Sequence, residues 1–246
     1  MRKIVSANQP MRLQGTKNTR DLGGYPTVWG TNTVNGAFLR SDSPNFTDRD
    51  KDILYRYGVR LTIDLRGANE VKRFPSALLD YKDIEYLNIQ LLDSIMSDAT
   101  GQSMPATLLE TYLDLLDNSQ PAFQKMFKKI LEHPDAAALI NCTAGKDRTG
   151  VVTMLLLKTA GVPDEFIVAD YEATYFNIKE DKERSIAMMQ QIGLTPADHL
   201  FYSEPENMIQ TLKYLNDNYG TIDDYLQTCG LAVDEIDALR NKLLGK

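Results

Sequence analysis

Residues 138–157 read ALINCTAGKDRTGVVTMLLL. Small apolar residues from Ala136 to Asn141 lead directly into Cys142-Thr143-Ala144-Gly145-Lys146-Asp147-Arg148-Thr149-Gly150, and then into an apolar segment that stops at Gly161. The first run predicts a buried strand, the last a buried helix closed by glycine. Strand, polar loop and helix in immediate succession form the building unit of an α/β fold. A core strand has no structural use for Gly-Lys-Asp-Arg right after it. Chemistry is therefore expected in the loop.

Backbone N–H groups converging ahead of a helix N-terminus make an anion-binding concavity. A cysteine at its centre is favoured as thiolate, the nucleophilic form. The same concavity fits a phosphate, because Arg148 can grip two non-bridging oxygens at once, a geometry that lysine cannot copy. Gly145 lets the backbone curl, and Thr149 can donate its hydroxyl to the sulfur. The loop residues Thr143, Ala144, Gly145, Lys146 and Thr149 are thus the predicted phosphoryl-binding set around Cys142 and Arg148. A nucleotide-binding G-x-x-x-x-G-K loop is excluded. Position 140 is isoleucine instead of glycine, and Asp147 stands where Ser or Thr should follow the lysine.

Upstream, Val59–Leu65 reads as a buried strand and Asp83–Leu92 contains another, IEYLNIQLL. Two β-favouring runs between Tyr25 and Arg40 flank Gly30-Thr31-Asn32 and predict a hairpin. Helical spacing marks Asp48–Tyr57, with Thr47 as N-cap, and Thr107–Leu116 and Ala122–Leu131, with Pro121 at a helix start. Downstream, Pro163 opens a helix through Ala173. Residues 178–220 are helical in pattern but richly charged, and Asp234–Leu244 is an amphipathic helix. These elements predict an α/β fold: a central mixed/parallel sheet flanked by helices, with a helical C-terminal half. No repeat, low-complexity tract or linker interrupts the chain. A single domain over 1–246 is expected, with 1–12 as an N-terminal arm and 178–220 as a helical lid or insert.

The 246 residues carry a formal charge of −7, which argues against nucleic acid as a partner. No run approaches the ~18 consecutive apolar residues of an integral membrane segment. The first twenty residues hold Arg2, Lys3, Arg12, Lys17 and Arg20 with no acid, and they lack the apolar core of a secretory signal. A cytoplasmic location is the default expectation, and a secreted form with a removed signal peptide stays compatible with it. The two cysteines, Cys142 and Cys229, make no disulfide framework. The two histidines, His133 and His199, have no ligand spacing, so no metal or cofactor is expected.

C-x5-R followed by Thr resembles the signature loop of the cysteine-dependent protein tyrosine phosphatases. The longer string C-T-A-G-K-D-R-T-G is similar to their bacterial, PtpB/LipA-like branch. Other pieces match that branch in order: Asn18-Thr19-Arg20-Asp21-Leu22-Gly23-Gly24-Tyr25, Leu39-Arg40-Ser41-Asp42, Ile63-Asp64-Leu65-Arg66 with Glu70, Asp170-Tyr171 and Ile236–Leu243. The resemblance implies a protein tyrosine phosphatase-like fold and metal-free hydrolysis of phosphomonoesters through a phosphocysteine. Phosphotyrosine proteins are the first implied substrates. Phosphoserine, phosphothreonine or phosphoinositides extend the range, and inorganic phosphate is the product and an inhibitor.

The same resemblance assigns catalysis to Cys142, Asp147 and Arg148, with Asp147 as general acid. Asp93, which follows the apolar run, is the alternative acid on a movable loop. Lys146 either suits a second phosphate or offsets Asp147. Asn141 departs from the family, which has histidine there. Asparagine can still hydrogen-bond, yet the departure leaves a catalytically silent phosphate-binding module as the alternative reading. A sulfur- or arsenate-transfer enzyme would explain Cys142 but neither Lys146 nor Asp147. Arg20, Asp21, Asp64 and Arg66 read as a structural charge network under the loop, Glu70 as the partner of Arg66, and Cys229 as an inert helix-end residue.

Overall fold

A computed structural model describes residues 9–42, 44–91, 107–191 and 202–246, with side chains described outside 181–191. Among these residues, strands β1 (Arg20–Asp21), β2 (Phe38–Ser41), β3 (Val59–Asp64), β4 (Glu85–Asn88) and β5 (Ala137–Asn141) form one sheet. The order is β1-β2-β5-β3-β4. β1 is antiparallel to β2, and every other pairing is parallel. The helices are α1 (Asp48–Tyr57), α2 (Ala68–Arg73), α3 (Leu108–Asn118), α4 (Gln120–Leu131), α5 (Asp147–Thr159), α6 (Asp164–Gln191), α7 (Pro205–Tyr219), α8 (Ile222–Thr228) and α9 (Val233–Leu244). The architecture is the expected mixed α/β one. None of the described helices is long and apolar enough to cross a membrane.

β5 is the central strand, and its side chains alternate between two cores as a parallel strand buried on both faces requires. Ala138 and Ile140 join Phe38, Leu61 and Ile63 against helices that include α3, α4, α5 and α9. Ala137 and Leu139 join Leu39 and Val59 against Leu54 of α1 and Phe46, Leu78 and Ile84. Val59 and Leu61 are two apart yet face opposite cores. The register explains this: Val59 pairs with Ala137 and Leu61 with Ala138, so Arg60 is one extra residue in β3. A one-residue bulge flips every later side chain to the other face.

Three differences from the sequence reading have local causes. Residues 26–32 do turn back, with Thr27 N–H donating to the Thr31 carbonyl at 2.9 Å, but the expected hairpin stops there. Phe38–Ser41 instead pairs with Arg20–Asp21 and β5, because all four of its residues are buried and only an inner position covers both faces. The helix opened by Pro163 continues to Gln191, since no glycine or proline lies between 164 and 191 to stop it. Of the region expected as a lid or insert, 192–201 lies outside the described residues. α7 buries Met208, Leu212 and Leu215 in the larger core. Of the N-terminal arm only 9–12 is described, and Met11 N–H is tied to the Thr19 carbonyl at 2.7 Å.

Candidate active site

Cys142 follows the last residue of the central strand and is 3% exposed, and five residues later α5 begins at Asp147. Gly145 turns the loop with φ +61°; a Cβ there would sit 2.5 Å from the Ser41 carbonyl oxygen, so only glycine fits. The loop is held from beneath through its carbonyls. Asn18 Nδ2 donates to Ala144 O and Gly145 O, each at 3.1 Å, and Arg40 Nη2 donates to Gly145 O at 2.6 Å. A trans peptide points its C=O and N–H in opposite directions. The N–H groups of Gly145 and Lys146 therefore point away from Asn18 and Arg40.

Under this floor lies a buried ion network. Arg20 Nε meets Asp170 Oδ1 at 2.9 Å, Arg40 Nη1 meets Asp170 Oδ2, and the Tyr25 hydroxyl donates to Oδ1 at 2.8 Å. Burial pushes the Asp170 carboxyl up, but two guanidinium groups outweigh it and hold the group below the usual carboxylate range. Of the four charged residues expected in a network here, only Arg20 takes part. Asp21 accepts from Gly23 N–H, Gly36 N–H and the Tyr57 hydroxyl instead, and Asp64 pairs with Arg66 at 2.7 Å.

Over the loop stands Arg148. Its Nη1 meets Glu70 Oε2 at 2.6 Å and its Nη2 meets Glu70 Oε1 at 3.1 Å, while Thr143 Oγ1 also donates to Oε1. The expected Glu70–Arg66 pair does not form, because α2 turns Glu70 toward the loop and Arg66 already has Asp64. Burial raises the Glu70 carboxyl, but the hydrogen bonds from Arg148 and Thr143 bring it down to about 2. Burial likewise disfavours the Arg148 charge. Glu70 and the Cys142 sulfur reverse that and lift the guanidinium above its ordinary value.

Asp147 opens α5, where its Oδ1 accepts a hydrogen bond from the Tyr112 hydroxyl and lies 3.5 Å from Lys146 Nζ. Lys146 is 1% exposed and also donates to the Tyr202 carbonyl at 3.2 Å. Thr149 Oγ1 is buried with no hydrogen-bond partner among the described residues, so the anticipated bond to sulfur is not made. Both amide atoms of Asn141 are likewise buried and unpartnered there. Nothing ties that side chain to the loop as an imidazole would be expected to. Asp93 lies outside the described residues. Cys229, at the end of α8, is pushed up to about 12 by burial and far from thiolate chemistry at neutral pH. Among the described residues no cluster of His, Cys, Asp and Glu could hold a metal ion.

A thiol at a helix entrance, amides and a braced guanidinium around it, and a carboxyl beside it can together attack, cradle and protonate a phosphate ester. A model of the tyrosine phosphatase family matches residues 11–245. The chain belongs to the tyrosine phosphatase family. A tyrosine-protein phosphatase of Nostoc commune is 36% identical over 218 residues, covering 84% of this phosphatase and 74% of its own length. The triple specificity protein phosphatase PtpB of Mycobacterium tuberculosis is 29% identical over 274 residues, covering 95% and 98%. The solved structure of P. aeruginosa TpbA overlaps with a TM-score of 0.36 at 14% identity, covering 79% and 87%, too distant to inform the site.

Sequence reading passed over four residues that build this phosphatase's site: Asn18, Arg40, Tyr112 and Tyr171. Asn18, Arg40 and Tyr171 sit inside strings that were noticed, but no spacing links Asn18 and Arg40 to a loop more than 100 residues away, or Tyr171 to Tyr112. Tyr112 looks like any apolar position of an amphipathic helix, and no local signal separates it from a core residue.

Proposed function

We propose that this phosphatase hydrolyses phosphomonoesters, phosphotyrosine first, through a phosphocysteine on Cys142. The observation that carries the reading is the guanidinium of Arg148, held two-pronged by Glu70 over a loop that presents Cys142 at the entrance of α5. In the first step Cys142 Sγ bonds to phosphorus as the ester P–O bond breaks. Arg148 and the N–H groups of Gly145 and Lys146 bear the charge on the remaining oxygens. Asp147 gives its proton to the leaving oxygen, then takes one from the water that hydrolyses the phosphocysteine. No metal is needed for this sequence. The released inorganic phosphate fits the same cradle and inhibits.

A wider range, taking in phosphoserine, phosphothreonine or phosphoinositides, is supported by the relative named a triple specificity phosphatase. Against a dedicated second-phosphate role for Lys146 stands its burial between Asp147 and the Tyr202 carbonyl. That arrangement supports the reading in which Lys146 offsets Asp147.

The test is turnover of p-nitrophenyl phosphate in EDTA from about pH 4.5 to 8, with Cys142→Ser and Asp147→Asn alongside. Cys142→Ser is expected to abolish turnover and Asp147→Asn to remove the basic limb of the profile. Phosphate binding without turnover at any pH would overturn the enzyme and leave a binding module. An unchanged profile in Asp147→Asn would move the acid elsewhere, Asp93 first. Phosphotyrosine and phosphoserine peptides and a soluble phosphoinositide then rank the substrates.

A further inference from the structure

Two buried tyrosines from different helices meet behind Asp147. Tyr112, on α3, donates its hydroxyl hydrogen to Asp147 Oδ1, and its oxygen lies 2.7 Å from the hydroxyl of Tyr171, on α6. The rings cross edge to face at 84°. A phenol has one hydrogen to give. Tyr112 commits its own to Asp147, so Tyr171 supplies the hydrogen between the two hydroxyls. The Tyr171 oxygen in turn is hydrogen-bonded by the Asn207 side chain of α7. Burial, then the charge of Asp147, push both phenols upward, so both stay protonated at neutral pH. The chain therefore runs one way, from Asn207 through Tyr171 and Tyr112 to Asp147. It starts at an amide, which does not titrate, so it aims and polarises a carboxyl without relaying protons to solvent. The charged groups facing Asp147 are Lys146, whose Nζ approaches the same Oδ1, and Arg148.

We propose that the Tyr112–Tyr171 pair positions the general acid, pinning Oδ1 of Asp147 so that the transferable proton rides on Oδ2 toward the leaving oxygen. This rests on the reading of Asp147 as the acid. In the forward step the S–P bond forms, the P–O electron pair moves to the ester oxygen, and that oxygen takes the proton from Oδ2 while Tyr112 keeps its own. The carboxylate left behind stays hydrogen-bonded at Oδ1, and Oδ2 accepts the proton of the attacking water in the second step.

Tyr112→Phe and Tyr171→Phe test this in the full chain, with kcat/KM followed across pH on a phosphotyrosine peptide and on p-nitrophenyl phosphate. The peptide has the poorer leaving group and depends more on the acid. Tyr112→Phe is expected to lose about tenfold on the peptide, the scale of one hydrogen bond to a charged group, and only about twofold on p-nitrophenyl phosphate. Its basic limb also moves, because the acid has lost its Tyr112 hydrogen bond. Tyr171→Phe moves both readouts the same way by about threefold or less. It carries the test alone if thermal melting shows Tyr112→Phe unfolded. Equal losses on both substrates with an unmoved basic limb would make the tyrosines merely structural and overturn the proposal. Asp147→Asn separates the two readings. If it shows the leaving-group dependence and the tyrosine variants do not, only the positioning role falls; if it shows none, the acid assignment fails and this proposal with it.

Discussion

Beneath the loop, Arg20 and Arg40 share the single carboxylate of Asp170, whereas above it Arg148 meets Glu70 one to one. The lower network is at most 1% exposed at every charged side chain, while above the loop Glu70 keeps 23% of its side chain in solvent. Below, hydrogen bonds to Thr174, Asn18 and the Gly145 carbonyl hold the surplus cation, while Tyr25 donates to Asp170. That surplus lies directly under the cradle, where it favours an anion above. The upper pair is balanced before any ligand arrives, and Glu70, which braces the guanidinium, is its partly exposed member. Full burial with every donor but Arg40 Nε engaged suits a part that must not move. Partial exposure suits one that must meet a substrate.

The sharpest way to break this contrast is Asp170→Asn, which leaves two buried guanidinium groups without a counter-charge. A loss of about 3–5 kcal/mol in urea unfolding is expected, the scale of breaking a buried pair. A loss under about 1 kcal/mol would mean that water or rearrangement satisfies the arginines and that the lower network is not structural. Glu70→Gln should do the reverse. With Arg148 unbraced, kcat/KM falls about 10- to 100-fold, while the urea stability at neutral pH falls by less than in Asp170→Asn. A stability loss as large as that of Asp170→Asn would erase the distinction between the two networks.

Gly145→Ala probes the floor that joins them. The added methyl meets the Ser41 carbonyl carbon and oxygen at a positive φ, so about 1–3 kcal/mol of strain is expected, with weaker phosphate binding by calorimetry. The smallest effect is a pH slope. Glu70 titrates at about 2 when folded and near ~4.3 when unfolded, so the unfolded chain binds more protons between those values. Its contribution to stability is present above that upper value and is lost as pH falls toward 2. Acid-dependent urea melts of Glu70→Gln should lack that part of the slope.

Much of this was legible without coordinates. The strand before Cys142 came out within one residue of β5, and the helix after it was found but begins at Asp147, four residues before the apolar run that marked it. Contiguous residues of one character declare a strand and a buried helix, while a polar first turn does not. α1 and its Thr47 cap were equally readable, since the cap lies within the four consecutive residues from Thr47 to Asp50. β2 was misassigned to a hairpin because an apolar strand carries no mark of its partner, and only the sheet shows that Phe38–Ser41 pairs with β5. Arg60 carries no sign that it is a bulge, although it decides which core Val59 and Leu61 enter.

The sequence by itself determined the α/β class, the phosphate-shaped loop and the likeness to the phosphatase family, all written in short contiguous strings. Tertiary structure alone decided which charges meet. Glu70 braces an arginine 78 residues away, Asp170 holds an arginine 150 residues away, and Tyr112 reaches an aspartate 35 residues away. Periodicity dictates which face of an element is buried, but a buried charge takes its partner from whatever packing brings within about 3 Å. That choice belongs to the assembled fold.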